Sequence, residues 1–174
     1  MKEQISTAYW HEKLKQLGII VIIPSYNNGK TLADVIESVR FYAPDILVVN
    51  DGSTDETAEI LSRESNLHTI THPVNQGKGV ALRHGLSFAK KQGFRYAITI
   101  DSDGQHFASD IPALIESIEK EPDTLLVGAV TSPRTTCRER IHLPISFPTS
   151  GLPSKQVSNC KILNPATACT PSNE

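Results

Sequence analysis

Gly18-Ile19-Ile20-Val21-Ile22-Ile23 sets five β-branched residues in a row and stops at Pro24. Side chains alternate between the two faces of a strand, so an apolar residue at every position demands cover on both. Such a strand belongs inside a parallel sheet with helices above and below, not in a half-wetted hairpin. The chain keeps to that plan as far as residue 130. Thr31 to Ala43 places Leu32, Val35, Ile36 and Val39 on one helical stripe, ended by Pro44. Ile46-Leu47-Val48-Val49 reads as a second strand, and Ser53-Thr54-Asp55-Glu56 as the capping-box start of a helix through about Arg63. His68-Thr69-Ile70-Thr71 is a short third strand, Gly79 to Gln92 a helix with Gly93 just past its end, and Tyr96 to Ile100 a fourth strand. Ser109 caps a helix carrying Ile111, Leu114, Ile115 and Ile118, which stops near Pro122 before a last strand at Thr124 to Val127. The expected fold class is α/β, a Rossmann-like, mostly parallel sheet with helices on both faces. A short amphipathic helix carrying Tyr9, Trp10, Leu14 and Leu17 is expected to precede it.

Composition fits one domain, or a large fragment of one: 174 residues, 39% hydrophobic and 21% charged. The longest apolar run, Ile19 to Pro24, is far short of the roughly 20 residues that cross a bilayer, so no transmembrane segment is expected. Met1-Lys2-Glu3-Gln4 opens a polar start without the apolar core of a secretory signal, which predicts a cytoplasmic address. Seventeen Lys and Arg against nineteen Asp and Glu leave a net charge of −2, without the basic excess of a nucleic-acid binder. That charge is uneven, because residues 131–174 hold five basic and two acidic side chains, a balance of +3, so residues 1–130 carry −5. The same last stretch holds six of the eleven prolines and all three cysteines (Cys137, Cys160, Cys169), at spacings that match no zinc or redox motif. The cysteines read as free thiols in a reducing compartment. Three parts are therefore expected: an N-terminal helical extension over 1–17, an α/β domain over 18–130, and an irregular or disordered tail over 131–174.

Ligands of open parallel sheets bind beyond the carboxyl ends of the strands. Here those ends read Pro24-Ser25-Tyr26-Asn27-Asn28, Asn50-Asp51-Gly52-Ser53-Thr54-Asp55 and Asp101-Ser102-Asp103-Gly104-Gln105-His106. Asp101 and Asp103 form a D-x-D whose carboxylates repel each other, a repulsion that a divalent cation relieves while recruiting a diphosphate. Hard oxygen ligands favour Mg²⁺ or Mn²⁺ over zinc. The blander reading has one aspartate capping the next turn and the other solvated. Asp51 can accept hydrogen bonds from a base N–H, with Gly52 and Ser53 small enough for a planar group to approach the backbone; otherwise it serves an Asx turn. Asp55 belongs to a helix N-terminus. Asn75-Gln76-Gly77-Lys78-Gly79 opens a helix with backbone N–H groups and a lysine turned to an anion, although the P-loop spacing is absent. Arg83 and His84 are assigned to the helix surface, and His106 either orients a metal-bound water or is structural.

Together these four segments, Ile22 to Asn27, Val49 to Asp55, Asn75 to Gly79 and Asp101 to His106, resemble the family 2 glycosyltransferases, and within them the dolichyl-phosphate mannose synthase-like branch. The resemblance covers roughly residues 18 to 130. It implies a GT-A fold, a UDP- or GDP-sugar donor, a divalent metal (Mg²⁺ or Mn²⁺), inversion at the anomeric carbon, and an acceptor that in this branch is a lipid-linked phosphate at the inner face of a membrane. By the same resemblance Pro24, Tyr26 and Asn27 fall in the nucleotide pocket, Asp51 on the base, and Lys78 near the nucleotide or its phosphates. Asp101 faces the ribose and metal side, and Asp103 with Gln105 holds the metal. Family members continue with a further strand, acceptor-binding loops and often membrane-associating helices. The Pro- and Ser-rich tail resembles none of these, so the donor half is expected complete and the acceptor half missing or altered.

Two other enzyme classes and one non-enzyme reading compete. Haloacid dehalogenase-type hydrolases also use D-x-D-G after a strand, but on the strand nearest the N-terminus, whereas two strand-helix units precede it here. A Rossmann dehydrogenase would need G-x-G-x-x-G where this chain has Pro-Ser-Tyr-Asn. The third is a catalytically incomplete fragment that binds a nucleotide sugar without turning it over.

Overall fold

The computed structural model describes residues 6–105, 107–120, 126–129 and 159–163. Helix α1 (Thr7–Leu17) is capped by Ser6, whose Oγ accepts from the Tyr9 N–H at 3.4 Å, and ends on Gly18 in the left-handed region at φ 68°. The chain turns there directly into β1 (Ile19–Ser25), every residue of which is buried. After β1 come α2 (Gly29–Arg40), β2 (Ile46–Asn50), α3 (Thr57–Arg63), β3 (His68–Thr71), α4 (Lys78–Lys91), β4 (Tyr96–Thr99), a 3-10 turn (Ala108–Asp110), α5 (Ile111–Lys120), β5 (Leu126–Ala129) and β6 (Asn159–Leu163). The six strands form one sheet in the order β3-β2-β1-β4-β6-β5. β1 pairs parallel with β2 and β4, and β2 parallel with β3, so the expected sheet with its most apolar strand at the centre is what forms.

β1 divides its side chains by parity, as the unbroken apolar run demands. Ile19, Val21 and Ile23 join one core with Leu32, Val35, Ile36 and Val39 of α2, Trp10 and Leu14 of α1, and Ile111, Leu114, Ile115 and Ile118 of α5. Ile20 and Ile22 join the other, with Leu47 and Val49 of β2 and Ala81 and Ala89 of α4. Each such aliphatic side chain, fully buried, stabilises the fold by about 1.5–3 kcal/mol before entropy is counted. α4 lies close to the sheet: a Cβ added to Gly85 would come within 2.8 Å of Ile22 Cγ2.

Pro24 sits inside β1, where a missing N–H would normally break a ladder. Asp51 N–H donates to Ser25 O and Ile100 N–H to Ile22 O, so odd and even residues of β1 serve opposite neighbours and Pro24 faces β4. The β1–β4 register ends at Ile22 with Thr99, two residues short of the proline, and the Pro24 carbonyl accepts from Ser102 Oγ at 3.0 Å. No ladder bond is lost, and the strand runs past the proline instead of ending on it.

Three local expectations are corrected. Helix α3 begins at Thr57, not at Ser53, because Ser53 Oγ and Asp55 are engaged with the β1–α2 loop: Ser53 Oγ accepts from Asn27 N–H at 3.0 Å, and Asp55 Oδ2 accepts from Gly29 N–H at 2.8 Å. Ser109 lies inside the 3-10 turn, whose N-cap is Phe107, and not at a cap position. Within the stretch expected to be irregular, residues 159–163 form β6, which pairs antiparallel with β4 and with β5. Pairing between two existing strands supplies what its short, weakly patterned sequence does not announce. The rest of 131–174, with Cys137 and Cys169, lies outside the described residues, as does His106.

Candidate functional site

The carboxyl ends of β1, β2 and β4 and the start of α4 enclose a cavity of about 290 Å³. Pro24, Tyr26, Asp51, Lys78, Asp101 and Asp103 all line it. Six of the eight residues singled out from the sequence therefore meet in one place. Asn27 and Gln105 do not line it.

Asn27 works between loops. It sits at φ 52°, its N–H donates to Ser53 Oγ at 3.0 Å, and its Oδ1 accepts from Thr54 N–H at 2.8 Å. Two strand-end loops are thereby stitched together, and Asn27 borders a neighbouring hollow that also reaches Asp103. Gln105 is exposed, and its N–H donates to Asp103 Oδ1 at 2.9 Å, the turn-capping role weighed for one of the two aspartates.

The D-x-D is aimed by its middle residue. Ser102 is buried; its Oγ donates to Pro24 O at 3.0 Å and accepts from Asn28 Nδ2 at 2.8 Å, and its carbonyl accepts from Thr31 Oγ1 at 2.6 Å. With Ser102 fixed inward, Asp101 and Asp103 both border the cavity. Asp101 Oδ2 pairs with Lys78 Nζ at 2.6 Å, so the lysine that opens α4 reaches the first aspartate.

Asp51 is 3% exposed and is the most heavily bonded carboxylate of the site. Its Oδ1 meets His72 Nδ1 at 2.6 Å and accepts from Gln76 N–H at 3.0 Å, while Oδ2 accepts from Gly77 N–H at 2.7 Å. Burial, the largest influence, pushes its pKa up, but the hydrogen bonds from His72, Gln76 and Gly77 outweigh it and hold the carboxyl below the ordinary carboxylate value. Asp51 is thus an anion at neutral pH. The backbone N–H groups of Gln76 and Gly77, expected to face an external anion, are instead committed to Asp51. Gly52 is explained differently too: at φ 70°, an added Cβ would fall 2.3 Å from the Val74 carbonyl carbon, so its bareness admits the 74–75 backbone and not a planar ligand.

His72 was missed from the sequence. It is buried, follows β3, and joins Asp51 to His84, whose Nδ1 lies 2.8 Å from His72 Nε2. His84 is exposed, as expected of the helix surface, and from there it contacts His72. The rim rule that located the other groups, applied to the end of β3, points to His72. Ser25 adds one more polar group, since its buried Oγ lines the cavity without a hydrogen-bond partner among the described residues. An orphaned buried hydroxyl of this kind suits a ligand that brings its own partner.

Three carboxylates against one lysine make the cavity attractive to a cation. Among the described residues no three His, Cys, Asp or Glu side chains enclose a metal. Asp101 and Asp103 both line the cavity, and their hard carboxylate oxygens are the groups that could hold Mg²⁺ or Mn²⁺ there.

The chain is similar to known proteins in sequence and in fold. The chain is 33% identical over 128 residues to a UDP-N-acetylglucosamine–dolichyl-phosphate N-acetylglucosaminyltransferase of Methanococcus voltae, covering 64% of this chain and 51% of that protein. It is 29% identical over 126 residues to a polyprenol monophosphomannose synthase of Mycolicibacterium smegmatis, covering 68% and 47%. The chain spans about half the length of the curated relatives it matches. Among solved structures, glucosyl-3-phosphoglycerate synthase of Mycobacterium tuberculosis in complex with UDP superposes with a TM-score of 0.58 at 22% identity, covering 77% of this chain and 51% of that one. The same mycobacterial protein has also been solved with Mn²⁺ and UDP. The shared fold is GT-A. The model of glycosyl transferase family 2 matches residues 20–169, from the first strand through β6, and the chain accordingly belongs to glycosyl transferase family 2.

Proposed function

We propose that this chain is the donor-binding half of an inverting glycosyltransferase that moves a sugar from a UDP- or GDP-sugar to a polyprenyl phosphate. The supporting observation is the convergence of Tyr26, Asp51, Lys78, Asp101 and Asp103 on one cavity from separate strand ends. In this reading the exposed Tyr26 ring flanks the base and Asp51 accepts its N–H, with Pro24 closing the floor. Asp101 turns to the ribose and metal side, and Asp103, steadied by the Gln105 N–H, holds Mg²⁺ or Mn²⁺. The bound cation would neutralise charge on the departing nucleoside diphosphate. Lys78, already beside Asp101, supplies a further positive charge to the phosphates. An acceptor phosphate arrives ionised, so attack from the opposite face of the sugar requires no general base from the chain. Relatives named for dolichyl-phosphate and polyprenol support a lipid-linked acceptor; the same reading puts the chain at the inner face of a membrane, in cell-envelope glycan synthesis. Among the described residues no helix is long and apolar enough to cross a membrane.

A second reading is favoured by the chain's covering about half of its relatives: donor binding without turnover. Thermal unfolding with UDP- and GDP-sugars, with and without Mn²⁺, separates the two when run beside a transfer assay to polyprenyl phosphate. Binding stabilises only the folded state, so a donor must raise the melting temperature. Stabilisation with transfer supports the enzyme, and stabilisation alone supports the fragment. No metal-dependent stabilisation by either donor, or an Asp103→Ala variant that keeps it, would defeat the site assignment.

A further inference from the structure

We propose that His72 is a specificity-determining residue that acts through Asp51 and makes the site select uracil over guanine. The inference rests on Asp51 meeting the base, as the donor-site reading has it. A carboxylate offers four acceptor positions, two on each oxygen. On Asp51, Oδ1 is filled twice, by His72 Nδ1 and by the Gln76 N–H, and Oδ2 once, by the Gly77 N–H. One position remains, on Oδ2.

The direction of the His72 bond follows from charge. Asp51, an anion in the folded state, can only accept, so His72 Nδ1 is the donor. His84 Nδ1, 2.8 Å from His72 Nε2, holds the ring in that orientation from the far side. His72 is 5% exposed, and its own N–H donates to Asn50 O at 2.9 Å, so ring and backbone are both fixed. Asp51 therefore meets a ligand with its second oxygen half-spoken for and its first closed.

A base with one edge N–H between two carbonyls matches a single acceptor, and uracil offers N3–H in that form. The unpartnered Ser25 hydroxyl, in the same cavity, complements one of the flanking carbonyls. Guanine presents N1–H and N2–H side by side and needs both carboxylate oxygens; with Oδ1 closed, one donor is buried without a partner. Cytosine has no N3–H and turns a lone pair toward the anion. A buried donor left unpaired costs more than the average hydrogen bond contributes, so discrimination of about tenfold or more is expected.

The test measures dissociation constants of UDP, GDP, CDP and 3-methyluridine 5′-diphosphate by calorimetry on the 174-residue chain with Mn²⁺ present. UDP is expected to bind about tenfold or more tightly than the other three. His72→Ala reopens Oδ1 and is expected to narrow the UDP-to-GDP ratio to a few-fold, whereas His72→Asn, which keeps a donor at the Nδ1 position, restores it. GDP binding as tightly as UDP, tolerance of the 3-methyl group, or an unchanged ratio in folded His72→Ala overturns the proposal while leaving the donor site standing. Binding of none of the four removes the donor site and the proposal together. Should His72→Ala fail to fold, the wild-type panel and His72→Asn still decide.

Discussion

Lys78 Nζ lies 2.6 Å from Asp101 Oδ2, so a side chain from the start of α4 already neutralises the first carboxylate of the D-x-D. Lys78 is more than half exposed, and an ion pair of that kind contributes only about 0.2–1 kcal/mol. In the proposed donor site, a divalent cation at Asp101 and Asp103 would displace it at little cost. The lysine would then stand beside the phosphates that accompany the metal in that reading.

Removing Lys78 should therefore have opposite effects on metal and on nucleotide. Lys78→Met is expected to bind Mn²⁺ alone about two- to fivefold more tightly, since one positive group competing for Asp101 is removed. The same variant should bind UDP more weakly, because a cation near the diphosphate has gone. Electron paramagnetic resonance of free Mn²⁺, titrated with and without UDP, reads both constants. Mn²⁺ affinity that falls would show that Lys78 supports the metal site instead of competing for it.

The two faces of the core predict a contrast between two glycines of α4. At Gly85 an added Cβ would press on Ile22 Cγ2 at 2.8 Å, a stiff β-branched group in a filled core. Overpacking of about 1–3 kcal/mol outweighs the roughly 1 kcal/mol that alanine gains in a helix, so Gly85→Ala should lower stability by about 1 kcal/mol. Among the described residues nothing lies within 4 Å of a Cβ at Gly79 in the first turn of the same helix. Gly79→Ala should be neutral or stabilising by up to about 1 kcal/mol. Urea unfolding midpoints of the pair check the sign at each position.

How much of this was legible beforehand depended on where the signal was local. The buried strands were readable because parity needs only neighbours: Ile19 to Ile23 are apolar at every step, and the two cores take alternate residues. Tyr26, Asp51, Asp101 and Asp103 were readable because strand ends converge in any open parallel sheet. What stayed hidden was the set of partners. Nothing in the order of residues says that Gln76 and Gly77 turn their N–H groups to Asp51, that Gly52 makes room for residue 74, or that His72 lies beneath the site. Those contacts span 21 to 26 positions of sequence and are fixed only when the loops have packed. β6 was unreadable for the same reason, since its signal is the gap between β4 and β5.

Asp55 predicts how stability responds to acid. Its Oδ2 accepts from Gly29 N–H at 2.8 Å and its Oδ1 from Thr57 N–H at 3.1 Å, so one carboxylate caps the beginnings of α2 and α3 together. Burial, the largest influence, raises its pKa, but the bonds to Thr57 and Gly29 prevail, and both Asp55 and Asp51 titrate below the ordinary value of 3.8. A carboxyl with a depressed folded-state pKa stabilises the fold above its unfolded pKa and loses that contribution as pH falls toward the folded one. Unfolding free energy should therefore be flat near neutrality and fall below about pH 4. Asp55→Asn should cost about 1–2 kcal/mol at pH 7 and much less at pH 3, measured by urea unfolding at both. An equal loss at the two values would mean that ionisation of Asp55 does not matter.

Gly52 ties folding to ligand binding most directly. It holds φ 70°, and an added Cβ would lie 2.3 Å from Val74 C and 2.4 Å from Asn75 N, atoms of backbone that cannot swing aside as a side chain does. Left-handed strain and this clash together predict a loss of about 2–4 kcal/mol for Gly52→Ala. The displaced segment leads into Gln76 and Gly77, whose N–H groups hold Asp51, so relief of the clash by moving the loop would loosen the carboxylate. A folded Gly52→Ala chain should then bind UDP at least about tenfold more weakly, with Mn²⁺ binding at Asp101 and Asp103 little changed. Calorimetric titration of UDP and of Mn²⁺ separately distinguishes this from general damage: if both affinities fall in parallel, the loop is not the route by which Gly52 reaches Asp51.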